Sequence, residues 1–340
     1  RMIGAEKEPD TGSGTVIGLI EPHAGYAYSG QVAAAGYRQL EGGRFRRVVL
    51  IGPSHHEFLE GVAVPKASGY ATPLGKVELD TDVLVALQGE TGFQATDRPF
   101  AREHCIEIQL PFLQETLQPG WKLVPVLVGH DLSPGLSDRI AESLKRWTGP
   151  ETITIASSDF THYGKNFRYL PFTDDIKERL DDLDMGAIGR ILAGDREGFR
   201  SYVTRTGATI CGRNAIDILM RVVPADAEPQ LLRYDTSGNM TSDWSNSVSY
   251  ATIAFRSGGE RPDRNENEDL RTGDRDWLLN LARESIRSYL DDREPPPAPP
   301  EDSPPILHAR RATFVTLTVP DRSGYRLRGC IGNMEPRGPL

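Results

Sequence analysis

Three short apolar runs, each followed at once by a polar segment that contains histidine, constrain the fold of this chain most. The pairs of run and segment are Val48–Ile51 with Gly52–His56, Val16–Ile20 with Glu21–Tyr26, and Thr152–Ala156 with Ser157–His162. Apolar, β-branched runs bounded by turn-forming residues predict buried strands. Because the carboxyl ends of parallel strands meet at one edge of a sheet, we expect the three segments to converge on a single cleft.

Composition argues against several classes of protein. The chain has 340 residues, enough for two domains, and a net charge of -9. It has no basic block of the kind that binds nucleic acid or an anionic membrane surface. No stretch approaches the roughly 18 apolar residues of a membrane-spanning helix, and the first residues show no signal-peptide pattern. Cys105, Cys211 and Cys330 lack C-x-x-C spacing, which argues against a disulfide framework or zinc knuckle and favours a reducing cytoplasm.

Short β-rich runs alternate with amphipathic helical runs from Thr15 to about Arg256. This alternation predicts an α/β fold with a mostly parallel central sheet and helices on both faces. The predicted helices are Ser29–Leu40, Thr81–Leu87, Ile106–Thr116, Pro134–Trp147, Thr173–Leu192 and Gly212–Val222. The further predicted strands are Leu123–Val128, Gln230–Tyr234 and Ser247–Phe255. Val62–Val77 is predicted to be a hairpin or excursion rather than a strand of the core.

A second domain is predicted after a change in composition. Residues 258–275 are almost wholly polar and charged without periodicity, which is typical of a linker between domains at 1–257 and 276–340. The predicted elements that follow are a helix at Trp277–Leu290, an extended segment at Glu294–Pro305 and strands at Ala312–Val319 and Tyr325–Ile331. Because so few of its residues are apolar, this domain is expected to be a truncated α+β unit.

Histidine is concentrated in the first half of the chain, where six of the seven precede Tyr163. The histidines that directly follow predicted strands are His23, His55, His56 and His162. Imidazole is a common ligand of iron, copper and zinc, and a site assembled from separate strand ends needs no short spacing motif. Taken singly, each histidine is more often a surface or loop residue, and His130 is predicted to lie in a turn. The joint pattern favours a metal site.

Cys211 directly precedes the helix predicted at Gly212–Val222. The amino end of a helix lowers the pKa of a thiol, and thiolate is the form that binds metal or attacks an electrophile. The alternative is a small buried apolar residue at a helix cap. Glu103 and His104 also open a helix, where they either form an acid–base pair in the cleft or, for Glu103, complement the helix dipole.

The segment Ser157–His162 contains serine, aspartate and histidine, but a serine hydrolase is disfavoured because the G-x-S-x-G turn is missing. Asp159 and His162 are therefore interpreted as residues around a metal or as acid–base groups. Neither G-x-G-x-x-G nor G-x-x-x-x-G-K-[ST] occurs, which argues against dinucleotide and P-loop nucleotide sites.

The order of these motifs resembles the Memo family, also called AmmeMemoRadiSam system protein B, over about Thr15 to Phe255. The segments that carry the resemblance are Glu21–Tyr26, Gly52–His56, Glu103-His104, Ser157–His162 and Ile210–Arg213. The tail resembles the first part of AmmeMemoRadiSam system protein A, through Arg311–Val319 and Leu327–Gly332. The chain therefore resembles a fusion of the two.

The resemblance implies the fold of the catalytic subunit of class III extradiol dioxygenases. It implies one iron or copper ion held by His23, His55 and Cys211. Around this ion we expect four catalytic groups, either contacting the ligands or acting as acids and bases: Asp159, His162, His104 and His56. A thiolate in place of the usual carboxylate favours copper(I) or redox-active iron over magnesium or calcium.

The function expected from this set is that of a cytoplasmic, metal-dependent, dioxygenase-like oxidoreductase that works with a radical SAM protein. Its substrate would be a small molecule or a peptide, with no nucleic acid or membrane as partner. The alternative is a non-catalytic binding module that sequesters metal or holds a peptide in the same cleft.

Overall fold

The computed structural model describes residues 14–257, positions 281 and 283, and the backbone of 313–321 and 324–333. It divides into two compact units, Arg1–Gly259 and Glu260–Leu340. The division falls inside the segment predicted to be a linker.

The first unit alternates strands and helices. Its strands are β1 (Val16–Glu21), β2 (Arg47–Pro53), β3 (Val62–Val64), β4 (Gly69–Thr72), β5 (Gly75–Glu78), β6 (Phe93–Ala95), β7 (Lys122–Val128), β8 (Thr152–Ser157), β9 (His162–Gly164), β10 (Glu228–Thr236) and β11 (Asn246–Arg256). Its α-helices are α1 (Tyr26–Tyr37), α2 (Thr81–Leu87), α3 (His104–Glu107), α4 (Leu110–Thr116), α5 (Pro134–Lys145), α6 (Ile176–Leu192), α7 (Arg196–Thr206), α8 (Arg213–Val222) and α9 (Ser237–Thr241).

Four neighbouring parallel strands form the centre of the main sheet. The strand order is β10-β11-β1-β8-β2-β7-β3-β6, and β9 pairs with β11. The pairs β1/β8, β8/β2 and β2/β7 are parallel, whereas β11 and β3 run antiparallel to their central neighbours. The central strands are almost entirely buried, which their β-branched and apolar residues allow, and helices flank the sheet. The predicted α/β fold with a mostly parallel central sheet is confirmed.

Two predictions inside the first unit were wrong. Val62–Val64 is not outside the sheet but pairs with β7, although the rest of that stretch does form the β4–β5 hairpin. The helix predicted at Ile106–Thr116 is broken into α3 and α4, since α3 ends at Glu107 and α4 begins at Leu110. Helix α7 was not predicted.

The second unit contains one described pair of strands, β12 (Thr313–Asp321) and β13 (Gly324–Asn333), which are antiparallel. They match the two strands predicted there, with β12 beginning one residue after the predicted start at Ala312. Of the predicted helix Trp277–Leu290, only positions 281 and 283 are described, and both are helical. The predicted linker and the Pro-rich segment lie outside the described residues.

The two ends of the described part of the first unit lie side by side. Ser257 donates its backbone N–H to Thr15 O at 2.7 Å, and Thr15 N–H donates to the Ser257 hydroxyl at 3.1 Å. Val16 is opposite Arg256 in the antiparallel β1/β11 pair. Both ends therefore leave the sheet at the edge opposite the carboxyl end of β1. No helix among the described residues is long and apolar enough to cross a membrane.

Candidate metal centre

The three polar segments recognised in the sequence meet at the carboxyl edge of the sheet. Because β1, β8 and β2 are consecutive in the sheet, the residues that follow them arrive next to one another. His23 follows β1, Asp159 follows β8 and His55 follows β2. The three residues follow strands that are widely separated in sequence, so no short sequence motif contains them all.

Cys211 reaches the same edge immediately before α8, a helix that packs against β8 and β2. Gly212 N–H donates to the Ser158 hydroxyl at 3.0 Å. A side chain at Gly212 would place its Cβ 2.4 Å from the Ser158 Cβ, so only glycine allows this approach. The close contact sets Cys211 against the end of β8.

His23, His55 and Cys211 bring three donor atoms together. One ring nitrogen from each histidine and the Cys211 Sγ all lie within 4.8 Å of one another. His23 Nε2 is 3.2 Å from Sγ, and the two imidazole rings are 5.2 Å apart and nearly perpendicular. Nitrogen and sulfur ligands of one tetrahedral ion are about 3.5 Å apart. The donor set therefore fits a single transition-metal ion with little movement.

Hydrogen bonds to the Ser157 hydroxyl fix the orientation of the His23 ring. Ser157 donates its one proton to Cys105 O at 2.7 Å. It accepts from the Gln109 amide at 2.9 Å, and that amide also donates to Pro22 O at 3.0 Å, so its nitrogen is identified. His23 Nδ1, 2.9 Å from the Ser157 oxygen, must then be a donor. The neutral His23 ring has its lone pair on Nε2, directed at Cys211.

The buried carboxylate of Glu103 fixes the orientation of the His55 ring. Glu103 Oε1 accepts from His55 Nδ1 at 2.8 Å, and Oε2 accepts from His55 N–H at 2.8 Å. Cys105 N–H donates to Oε1 as well, at 3.2 Å. Burial would raise the pKa of the Glu103 carboxyl, but these hydrogen bonds outweigh it and lower the pKa to about 2. A carboxylate that accepts the outer N–H of a histidine is a common feature of metal sites.

Burial controls the protonation of the other two donors in the metal-free protein. The pKa of His23 is lowered by burial and by the neighbouring histidines, so the ring is neutral and can act as a ligand. The pKa of the Cys211 thiol is raised by burial and by the Asp159 carboxylate, against hydrogen bonds from Asp159 N–H, Ser158 and Gly212 N–H. The expected lowering of the thiol pKa by the helix is therefore wrong for the metal-free chain, because desolvation is the larger effect.

Asp159 lies on the loop after β8, and His162 is the first residue of β9, which follows that loop. Asp159 Oδ1 accepts from His23 N–H at 2.7 Å and from Ala24 N–H at 3.2 Å, which ties this loop to the one after β1. Burial raises the pKa of its carboxyl. His162 Nδ1 is 3.0 Å from both Phe160 O and Thr209 O. Because carbonyls only accept, Nδ1 carries the proton and Nε2 is the basic nitrogen.

His104 and His56 lie at the mouth of the site. The His104 ring stacks on that of His55 at 5.0 Å and is half exposed. With Glu103 and His55 it forms a second group of donors within 4.8 Å. His56 is exposed, with its ring 6.4 Å from that of His55.

Ser157 and Gln109 were not recognised in the sequence as orienting residues, and Glu103 was recognised only as half of an acid–base pair or as a helix-dipole residue. Glu103 does cap α3 through Cys105 N–H, which its position before a helix indicated. Its bond to a histidine 48 residues away had no sequence signal. Ser157 could have been suspected only as a polar residue that ends a buried strand.

The fold and the donor set define an α/β protein with a His₂Cys candidate metal centre at the carboxyl edge of its sheet. The chain belongs to the Memo family: the model of Memo-like proteins matches residues 2–254. The AMMECR1 family model matches residues 279–340, so an AMMECR1 domain follows. These matches confirm both resemblances found in the sequence.

Relatives from distant organisms match most of the first unit. A MEMO1 family protein of Methanopyrus kandleri is 36% identical over 269 residues, covering 75% of this chain and 89% of the relative. The protein memo-1 homolog of Caenorhabditis elegans is 33% identical, covering 70% and 72%. Protein MEMO1 of Danio rerio is 33% identical, covering 72% and 86%. An uncharacterised Escherichia coli K12 protein of known structure is 11% identical, with a TM-score of 0.44, covering 70% of this chain and 98% of that one.

Proposed function

We propose that this chain is a metal-dependent oxidoreductase with one iron or copper ion on His23, His55 and Cys211. The observation that carries the proposal is the common direction of the three donors. Ser157 and Glu103 hold the outer nitrogens of the two rings, so the inner nitrogens are available where the Cys211 sulfur lies. A site with both outer nitrogens bound is organised for ligation before any ion arrives.

The donor types support iron or copper. Two imidazoles and one thiolate form a soft to borderline set, which disfavours magnesium and calcium. A bound iron or copper ion supplies one-electron chemistry with a substrate or with oxygen. The tied loops after β1 and β8 hold the donors in place through the bonds from His23 and Ala24 to Asp159.

Two side chains of the same edge are proposed to move protons. His162 Nε2 is the basic nitrogen of a ring fixed by two carbonyls, and it can accept a proton and return it. The raised pKa of Asp159 lets its carboxyl hold a proton more readily than an exposed aspartate. His104 and His56, more exposed, are proposed to contact the substrate at the mouth. The radical SAM partner and the cytoplasmic location implied by the family resemblance belong to the same proposal.

Oxygen uptake by the iron-loaded chain tests this function. The assay compares catechols, reductants and cell extract as electron donors, with wild type beside His162→Gln at equal metal loading. A positioned proton donor contributes about 10²–10⁴-fold, so His162→Gln is expected to slow uptake by that factor. Cys211→Ser is the control that loses metal and with it all uptake. Equal uptake by wild type and His162→Gln would contradict the acid–base role.

A second candidate is a site that sequesters metal or holds a peptide without turnover. One contact favours it: Asp159 Oδ1 already accepts two backbone N–H groups, a role that braces the loops without any chemistry. This alternative predicts stoichiometric metal and no oxygen uptake with any donor. The same assay therefore separates the two candidates.

A further inference from the structure

A second concave site opens at the carboxyl end of β7, beside the candidate metal centre. The cavity has a volume of about 680 Å³ and lies between the turn His130–Pro134 and helices α7 and α8. Strand β7 is the neighbour of β2, which delivers His55, and α8 begins two residues after Cys211. The cavity therefore occupies the same ligand-binding edge of the sheet as the metal donors.

Hydrogen bonds link the wall of the cavity to the metal-binding segment. Asn214 donates its side-chain amide to Gly129 O at 2.7 Å and to His130 O at 2.9 Å, and Arg213 Nη2 donates to His130 O at 3.2 Å. The pKa of the His130 ring is lowered by burial and by the charges of His55 and Arg213. These hydrogen bonds tie the turn at His130 to Arg213 and Asn214, the first two residues of α8, which follow Cys211 closely.

Most charges at the cavity cancel. Asp217 is buried and pairs with both Arg196 and Arg200, at 2.9 and 2.5 Å. Asp138 also pairs with these two arginines, so the cluster of two acids and two arginines is neutral. Arg200 and Asp217 line the cavity but bring no net charge to it.

Two lining charges are left over, and they have opposite sign. Arg213 and Asp131 both line the cavity, and within residues 14–257 neither has an ion pair at 4.0 Å or less. Arg213 is exposed and donates one N–H group to His130 O. The other N–H groups of its guanidinium remain as donors for a ligand. The remaining wall includes the apolar side chains of Leu132, Phe199 and Val203.

We infer that this cavity binds a zwitterionic small molecule of the amino-acid class with an apolar side chain. Arg213 takes the carboxylate, Asp131 takes the ammonium group, and the apolar side chain lies on Leu132 and Val203. The volume is within the usual range of small-molecule sites. That this molecule is also the substrate rests on the proposed function, whereas its binding does not.

Calorimetric titration of the full chain with L-leucine tests the inference. Two analogues each lack one charged group: 4-methylpentanoate has no amine, and 3-methylbutylamine has no carboxylate. Leucine is expected to bind at least about 10-fold more tightly than either analogue, because each lost charged contact is worth about that factor. The titrations are made on the chain as purified and after chelator treatment.

Two variants assign the contacts. Arg213→Met is expected to weaken the binding of leucine and of 4-methylpentanoate about 10-fold and to leave the binding of 3-methylbutylamine unchanged. Asp131→Asn is expected to weaken the binding of leucine and of 3-methylbutylamine about 10-fold and to leave the binding of 4-methylpentanoate unchanged. Arg139→Met, an exposed arginine of α5 outside the cavity lining, is the matched control and should change nothing. Circular dichroism melts check that the variants fold.

No measurable leucine binding, equal binding of leucine and 4-methylpentanoate, or insensitivity to both variants would overturn the inference. Leucine binding by a chain that takes up no metal even after anaerobic reconstitution with iron(II) or copper(I) supports the inference and contradicts the proposed function. A metal-loaded, oxygen-consuming chain that does not bind leucine supports the proposed function and contradicts the inference.

Discussion

His23 Nε2 lies 3.2 Å from Cys211 Sγ, although the two residues are 188 positions apart in the sequence. Because both atoms belong to the candidate donor set, we expect the purified chain to hold about one iron or copper ion, and Cys211→Ser to lose most of it. Elemental analysis before and after anaerobic reconstitution gives the stoichiometry. Wild type without stoichiometric metal after reconstitution would show that the assignment of ligands is wrong.

Cys105→Ser is the matched control for that substitution. Cys105 is fully buried, and its thiol donates to Pro53 O at 3.3 Å, a bond that a serine hydroxyl can also make. It lies outside the candidate donor set. The control variant should therefore keep its metal, and a loss equal to that of Cys211→Ser would point to general damage to the fold.

Metal binding should release a proton from Cys211. Burial raises the pKa of this thiol, so it is protonated in the metal-free chain at neutral pH and must ionise to become a ligand. The affinity for cobalt(II), followed by its thiolate absorption band, is expected to rise about tenfold per pH unit between pH 7.5 and 9. An affinity that is flat over this range would mean that Cys211 binds without losing a proton or does not bind.

Ser157→Ala should weaken metal binding without removing a ligand. The substitution deletes the acceptor of His23 Nδ1–H, so the ring is no longer held with its lone pair on Nε2. Loss of such an outer contact typically lowers metal affinity about 10–100-fold. Ser143→Ala, a buried serine of α5 bonded to Glu90, serves as the control in the same competition titration. Equal affinities in all three proteins would remove Ser157 from the site.

Glu103→Gln should destabilise the chain at neutral pH and much less in acid. The pKa of Glu103 is about 2 in the folded chain, below the usual value of 4.5, so its stabilisation is present above pH 4.5 and is lost as pH falls toward 2. The difference in unfolding free energy should be about 2 kcal/mol at pH 7 and shrink by pH 3. Urea midpoints at pH 7, 5, 4 and 3 measure it. A difference that does not depend on pH would contradict the charged hydrogen bonds.

A chain that ends at Ser257 should fold alone and keep the metal centre. Every described strand and helix of the first unit lies between Val16 and Arg256, and its candidate ligands all lie before Gly212. The truncated and full chains are expected to have the same metal stoichiometry and a first melting transition within a few degrees of each other. An insoluble or metal-free truncated chain would contradict the predicted boundary at 257.

The sequence predicted the framework well because periodicity and burial agree in the central strands. The helix at Thr81–Leu87 begins and ends where predicted, since Asp80 caps it through Val83 N–H. Helix Arg196–Thr206 was missed because only Phe199 and Val203 are buried, too few to give a clear apolar period. Val62–Val64 is too short for an alternating pattern to identify its place in the sheet.

The site could be predicted only in part. The histidines and Cys211 could be recognised because imidazole and thiolate are common metal ligands. The positions of the histidines directly after predicted strands suggested that they meet at one edge of the sheet. The orienting contacts of Glu103 and Ser157 depend on distances across the fold, and nothing local distinguishes them from any buried acid or serine. The helix end lowers the pKa of the Cys211 thiol, whereas burial raises it. Which effect is larger depends on the surroundings of the thiol, which the sequence does not give.

The two ends of the described part of the first unit, joined by hydrogen bonds between Thr15 and Ser257, have an evolutionary consequence. They leave the sheet together at the edge away from the donors, so a gene fusion at either end adds sequence without rerouting a strand through the site. The same closeness makes the unit suitable for circular permutation, with a short loop joining the two ends. A Memo module of this design can be joined to other domains without displacing the candidate donors His23, His55 and Cys211.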